Sequence, residues 1–165
     1  MAGRRPTDVQ DGPGFFDEES ALPSRTGRRL IIEADGGSRG NPGPAAYGAV
    51  VRDAETGAVL AEEGRTIGHT TNNVAEYSGL IAGLEMARAI DPQAAVEVRM
   101  DSKLVIEQMA GRWKIKHPGM KPLALEASKL RPAEVRWTWV PRAENKAADA
   151  LVNAALDGAP VTRAV

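Results

Sequence analysis

Two aspartates close apolar runs: Leu30-Ile31-Ile32-Glu33-Ala34 leads into Asp35, and Val96-Glu97-Val98-Arg99-Met100 leads into Asp101. Short apolar runs of this kind read as buried strands, so each carboxylate stands where a strand leaves its sheet. Glu76 lies near the start of a stretch with helical spacing, and beside the two aspartates it would add a third negative charge. Such a concentration is costly unless cations neutralise it, and hard divalent cations, Mg2+ first among them, take oxygen ligands. Two ions roughly 3.5 to 4 Å apart stabilise both the attacking and the leaving oxygen in phosphodiester cleavage. Taken singly, each residue also has a plainer role: Asp before Gly is a common turn residue, and a first-turn Glu complements the helix dipole. Asp149 falls in an alanine-rich helical stretch whose pattern does not fix the direction of its side chain.

The elements that must position these residues follow from the patterning. Residues 29–34, 45–52 and 58–67 read as strands, with a turn at Asp35-Gly36-Gly37, a loop through Asn41-Pro42-Gly43-Pro44 and a hairpin turn over 53–57. Thr71 or Asn72 caps a helix that runs to about Ile90, with Val74, Tyr77, Leu80, Ile81, Leu84 and Ala87 at helical spacing. Residues 96–100 form a fourth strand, 102–110 and 121–130 helices, 135–140 an alternating strand and 143–156 a final helix. Three consecutive strands followed by helix and strand units predict an α/β fold with a mixed five-stranded sheet: three antiparallel strands, then strands entered through helical crossovers, flanked by helices. One domain over 28–158 is expected, between a flexible tail over 1–27 and a second tail over 159–165.

The net charge of −1 at pH 7 excludes a strong overall basic footprint. Positive charge is instead local: Lys103, Arg112, Lys114, Lys116 and Lys121 surround the single acid Glu107, with Trp113 among them as a candidate stacking residue. The 165 residues contain no cysteine and no apolar segment long enough to span a bilayer, so the expectation is a cytoplasmic protein that does not act at a membrane. The loop after Asp35 lacks the Gly-Lys-Ser/Thr ending of a nucleotide-binding phosphate loop, which argues against ATP or GTP use.

Four separated segments carry a resemblance. Asp35-Gly36-Gly37-Ser38-Arg39-Gly40-Asn41-Pro42-Gly43-Pro44, Thr70-Thr71-Asn72-Asn73-Val74-Ala75-Glu76, Asp101-Ser102 and Asn145-Lys146-Ala147-Ala148-Asp149-Ala150-Leu151 resemble, in order, the motifs of type 1 ribonuclease H. The resemblance covers residues 28–156 and implies a ribonuclease H-like fold and an endonuclease that hydrolyses the RNA strand of an RNA/DNA hybrid. It implies two Mg2+ ions, with Mn2+ as a substitute, and 5′-phosphate and 3′-hydroxyl products. Asp35 would bridge the two ions, Asp149 hold the ion on the attacking-water side, and Glu76 and Asp101 the ion on the leaving-group side. Substrate contacts are implied at Gly36, Asn41, Thr71, Asn72, Asn73, Ser102 and Lys103, with Asn41 and Thr71 on a DNA-strand phosphate and Asn72 and Asn73 in the minor groove. For Asn72 and Asn73, helix capping is the alternative.

Two departures from the family pattern stand out. The connection through 103–121 is short where other members carry a longer basic insertion. Arg142 stands nearest the place of a loop histidine, and an arginine stays protonated, so it could steady a phosphate but not shuttle a proton. A monomer is expected. Double-stranded RNA is a second candidate partner, and a nuclease of other specificity or a silent hybrid-binding module are the competing readings.

Overall fold

The structure is a computed structural model that describes residues 24 and 26–164, so nearly all of the expected N-terminal tail lies outside the described residues. Its elements run β1 (Arg29–Ser38), β2 (Gly43–Asp53), β3 (Val59–Thr70), α1 (Asn72–Ile90), β4 (Ala95–Met100), α2 (Lys103–Met109), α3 (Lys121–Leu130), β5 (Val135–Trp139), α4 (Lys146–Leu156) and β6 (Val161–Ala164). They form one mixed sheet in the order β5-β4-β1-β2-β3-β6. The β1-β2-β3 meander is antiparallel, as a chain with short connections must make it, and β4 and β5 join in parallel after helical crossovers. The expected α/β class and mixed sheet are observed, with a sixth strand.

That strand comes from the segment read as a C-terminal tail. Val161–Ala164 pairs antiparallel with β3, from Gly64↔Val161 to Ala61↔Ala164. Four mostly exposed residues carry no hydrophobic alternation, so only the partner strand identifies them as β structure. A second correction concerns Asp35-Gly36-Gly37, expected as a turn. β1 runs on to Ser38 because β2 continues to pair with it, through Gly36↔Tyr47, Gly37↔Ala46 and Ser38↔Ala45. The expected final helix is also divided: Arg142–Glu144 is a single 3-10 turn, and α4 begins only after Asn145.

Close approach explains the glycines that read as turn signals. A Cβ on Gly36 would lie 2.1 Å from the carbonyl carbon of Ala75, so the start of α1 rests directly on the β1 backbone. On the opposite pleat, a Cβ on Gly48 would lie 2.3 Å from the carbonyl oxygen of Ala148, so α4 rests as closely on β2. Successive strand residues face opposite sides, which places α1 and α4 on opposite faces of the sheet. The α1 face holds the main core, where Leu30 and Ile32 of β1 meet Tyr77, Leu80 and Leu84 of α1 and Ala124 and Ala127 of α3. Burial of side chains such as Leu30 and Leu80, both fully enclosed, contributes about 1.5–3 kcal/mol each. Among the described residues no helix is long and apolar enough to cross a membrane.

Gly48→Ala tests the close contact of α4. The added methyl must displace a backbone oxygen rather than a flexible side chain, so a loss of about 2 kcal/mol or more in urea unfolding is expected. A change below about 0.5 kcal/mol would show that α4 sits farther from β2 than described.

Candidate active site

The parallel register of β1 and β4 pairs Glu33 with Arg99, and the same offset carried past the last pair sets Asp35 beside Asp101. Residues in register point to the same side of a sheet, so the two carboxylates emerge together. In the antiparallel ladder Asp35 stands opposite Gly48, the position over which α4 passes, and Asp149 follows Ala148 on that helix. Glu76 arrives from the start of α1, next to the backbone that touches Gly36. Asp35, Glu76, Asp101 and Asp149 thereby line one pocket of about 280 Å³, together with Gly36, Arg39, Asn72 and Arg142.

The electrostatics of that pocket are those of uncompensated charge. Asp35 is 9% exposed. Burial, reinforced by the charges of Asp101, Asp149 and Glu76, raises its pKa to about 8, against a partial relief from the Gly36 backbone N–H. Burial likewise raises Glu76 to about 7; the Ser102 hydroxyl opposes that shift and the charge of Asp101 adds to it. Oε2 of Glu76 is buried and accepts no hydrogen bond among the described residues. Among the described residues, no three Asp, Glu or His side chains are already gathered closely enough to hold a metal ion as they stand. Hard oxygen donors, a buried carboxylate oxygen with no proton donor and two carboxyls pushed toward neutrality all fit a divalent cation, which would stabilise their ionised forms.

Asn145 is the residue of this site that sequence reasoning missed. The sequence pattern places it inside the final helix; in the structure it is the N-cap residue of α4, yet its side chain makes no capping bond. Its Nδ2 donates to the Ala34 carbonyl and to Oδ1 of Asp101, both at 2.9 Å, and the residue is 1% exposed. It therefore fixes Asp101 to the β1 backbone. Asp149 is held more loosely, with Asn153 Nδ2 at 3.4 Å and an Arg142 guanidinium nitrogen at 3.9 Å.

Of the substrate residues implied by resemblance, Gly36 and Asn72 reach the pocket. Asn72 Oδ1 accepts from the Ser38 backbone N–H at 2.8 Å and the Ser38 hydroxyl at 3.0 Å, while the Asn72 backbone N–H donates to Asn41 Oδ1 at 3.0 Å. Thr71 caps α1 through Val74 N–H, and Ser102 caps α2 through Val105 N–H. The capping alternative is thus realised by Asn41 and Thr71, whereas Asn72 braces the end of β1; Asn73 is exposed. Lys103 lies 5.6 Å over the Trp139 ring, outside the pocket lining, as do Arg112, Lys114, Lys116 and Lys121. Trp113 is 45% exposed, and neither His69 nor His117 lines the pocket. Arg142 does line it, with most of its side chain in solvent.

Known proteins share both this sequence and this fold. Residues 33–155 match the family described as Reverse transcriptase-like. A Mycobacterium tuberculosis protein named as bifunctional is 56% identical over 133 residues, which span 79% of this chain but 36% of that protein, so the chain corresponds to about a third of that relative's length. A ribonuclease HI from Halobacterium salinarum is 46% identical over 153 residues, 92% of this chain and 76% of that protein. Among solved structures, LC11-RNase H1 in complex with an RNA/DNA hybrid superposes with a TM-score of 0.74 at 43% identity, covering 78% of this chain and 96% of that one.

The raised pKa values have a consequence for stability. Unfolded carboxyls titrate near 4, so between about pH 4 and pH 8 the metal-free native state binds more protons than the unfolded chain. Stability from these groups is then fully present at low pH and lost as pH rises through 7 and 8. Asp35→Asn removes the largest part of this penalty. In chelator at pH 8 its unfolding midpoint is expected to exceed wild type by about 5 °C, with no gain at pH 4. Equal midpoints at pH 8 would contradict the burial of an ionisable Asp35.

Proposed function

The chain belongs to the type 1 ribonuclease H family, and from that premise we propose that it is an endonuclease that hydrolyses the RNA strand of RNA/DNA hybrids with two divalent cations. The observation that carries this reading is the meeting of Asp35, Glu76, Asp101 and Asp149 on one pocket, with a buried oxygen of Glu76 left without a proton donor. The hybrid held by LC11-RNase H1, a relative at 43% identity, supports the choice of substrate.

In this reading Asp35 and Asp149 would hold the ion on the attacking-water side, and Asp35, Glu76 and Asp101 would hold the ion on the leaving-group side. Mg2+, or Mn2+ in its place, would when bound there activate the water and neutralise charge on the leaving oxygen. The chain's own residues supply geometry: Asn145 orients Asp101, Ser102 donates to Glu76, and the Gly36 N–H donates to Asp35. Water adds to phosphorus as the bond to O3′ breaks, the 3′ oxygen takes up a proton, and the products carry a 5′-phosphate and a 3′-hydroxyl. Arg142, exposed beside Asp149, steadies the phosphate of the departing strand by charge, since it cannot release a proton. Asn41, Thr71, Asn72, Asn73 and Lys103 form the surface along which the hybrid lies, and Ser102 and Glu76 sense 2′-hydroxyls. All four carboxylates come from one chain, so a monomer suffices, and the absence of cysteine suits the cytoplasm.

Labelled RNA/DNA hybrid, double-stranded RNA and double-stranded DNA, each incubated with Mg2+ or Mn2+, provide the test. Cleavage confined to the RNA strand of the hybrid is expected, with activity reduced at least about a thousandfold in Asp35→Asn and about tenfold in Arg142→Ala. Hybrid left intact with both metals would overturn the proposal. Preferential cutting of double-stranded RNA would reassign the substrate.

A further inference from the structure

The carboxylate pocket is lined by cations as well as acids. Arg142 stands beside Asp149, and Arg39, just past the end of β1, lines the same cavity along with Asn153 and Leu156 of α4. Arg39 is four residues beyond Asp35. An extended backbone of that length covers up to roughly 13 Å, so a guanidinium carried by Arg39 would meet a phosphate other than one held at the Asp35 carboxylate.

Its backbone is held firmly. The Arg39 N–H donates to the Pro44 carbonyl at 2.8 Å, and the Arg39 carbonyl oxygen lies 2.1 Å from where a Gly43 side chain would begin. The guanidinium is less committed. It sits 2.8 Å from Asp157 at the C-cap of α4, with 49% and 64% of the two side chains exposed. Ion pairs this exposed contribute little to stability, so an anion able to accept two guanidinium hydrogen bonds at once can displace the carboxylate. A backbone phosphate is such an anion, and the planar fork of Arg matches it. An acidic pocket that must admit a polyanion also needs positive charge at its margins, and among the described residues Arg39 and Arg142 are the cations on this pocket.

Building on the function proposed above, we propose that Arg39 is a substrate-binding residue that grips a phosphate of the cleaved strand next to the scissile one, and that Asp157 parks its guanidinium until the hybrid displaces it. The two partners then have opposite effects on substrate. Arg39→Ala raises KM for the hybrid about five- to tenfold with kcat within about twofold, whereas Asp157→Ala lowers KM about twofold by freeing the guanidinium. Hybrid binding, measured on the non-cleaving Asp35→Asn background at several salt concentrations, loses about one unit of the log–log salt slope when Arg39→Ala is added. Hybrids with one neutral methylphosphonate link separate the strands. Wild type weakens with the link at one RNA-strand position beside the cut, and Arg39→Ala does not respond to it.

A parallel rise of KM in both variants with an unchanged salt slope would reduce the pair to a brace for α4 and overturn the proposal. Sensitivity confined to DNA-strand links would overturn its assignment to the cleaved strand. If wild type fails to cleave hybrid, the function proposed above fails, and the salt slope of binding still decides whether Arg39 meets a phosphate.

Discussion

An aspartate nearly removed from water and facing three other carboxylates is an unfavourable thing for a fold to hold, and much of this molecule is arranged around holding it. Asp35 stays in place because it is a link in a paired strand rather than a residue of a mobile turn. The ladder to β2 fixes its backbone, and the parallel register to β4 brings Asp101 alongside. Helices then close on the strand from both faces, each through a glycine whose missing Cβ lets backbone meet backbone. Burial, reinforced by repulsion among the acids, raises the pKa values of Asp35 and Glu76, and the stability lost there is offset by the apolar core on the α1 face.

Neutral hydrogen-bond donors set the orientation of this charge without cancelling it. Asn145 anchors Asp101 to the β1 carbonyl of Ala34, and Ser102, while capping α2, also donates to Glu76. A lysine or arginine in either place would have lowered the carboxyl pKa and reduced the attraction for a cation. The arginines stand instead at the margin, where Arg142 pairs with Asp149 of α4 and Arg39 with Asp157 at its C-cap, both through exposed guanidinium groups whose pairs cost little to break. The same pocket can thus concentrate negative charge at its centre and still accept a negatively charged strand. The net charge of −1 conceals this division, since a total says nothing of where the charges lie.

Many of these elements are legible in the amino-acid pattern. The helical spacing of Tyr77, Leu80, Ile81, Leu84 and Ala87 marks the buried face of α1, because a 3.6-residue period has one meaning on a helix. The apolar runs before Asp35 and Asp101 mark two strands, and four ordered motifs identify the family. Other features are illegible for reasons of chemistry. Gly36 and Gly37 carry the signature of a turn, and nothing local reveals that a helix start will fill the space above Gly36. Val161–Ala164 becomes a strand only because β3 offers an unpaired edge. Asn145 falls inside the stretch that reads as the final helix, and nothing local reveals that its side chain will bridge a carbonyl and a carboxylate.

The amino-acid sequence alone thus specifies the α/β class, the principal elements, the family and the identities of the four acids, since these depend on local periodicity and on motifs that keep their order along the chain. Folding in three dimensions sets what lies beside what: that Asp149 faces the same pocket as Asp35, that Asn145 serves Asp101 rather than its own helix, and that Arg39 shares the cavity while the basic segment over 103–121 does not line it. Side-chain contacts spanning 44 residues, as between Asn145 and Asp101, or 111, as between Asn145 and the Ala34 carbonyl, are set by strand register and helix docking, which no local stretch of sequence encodes.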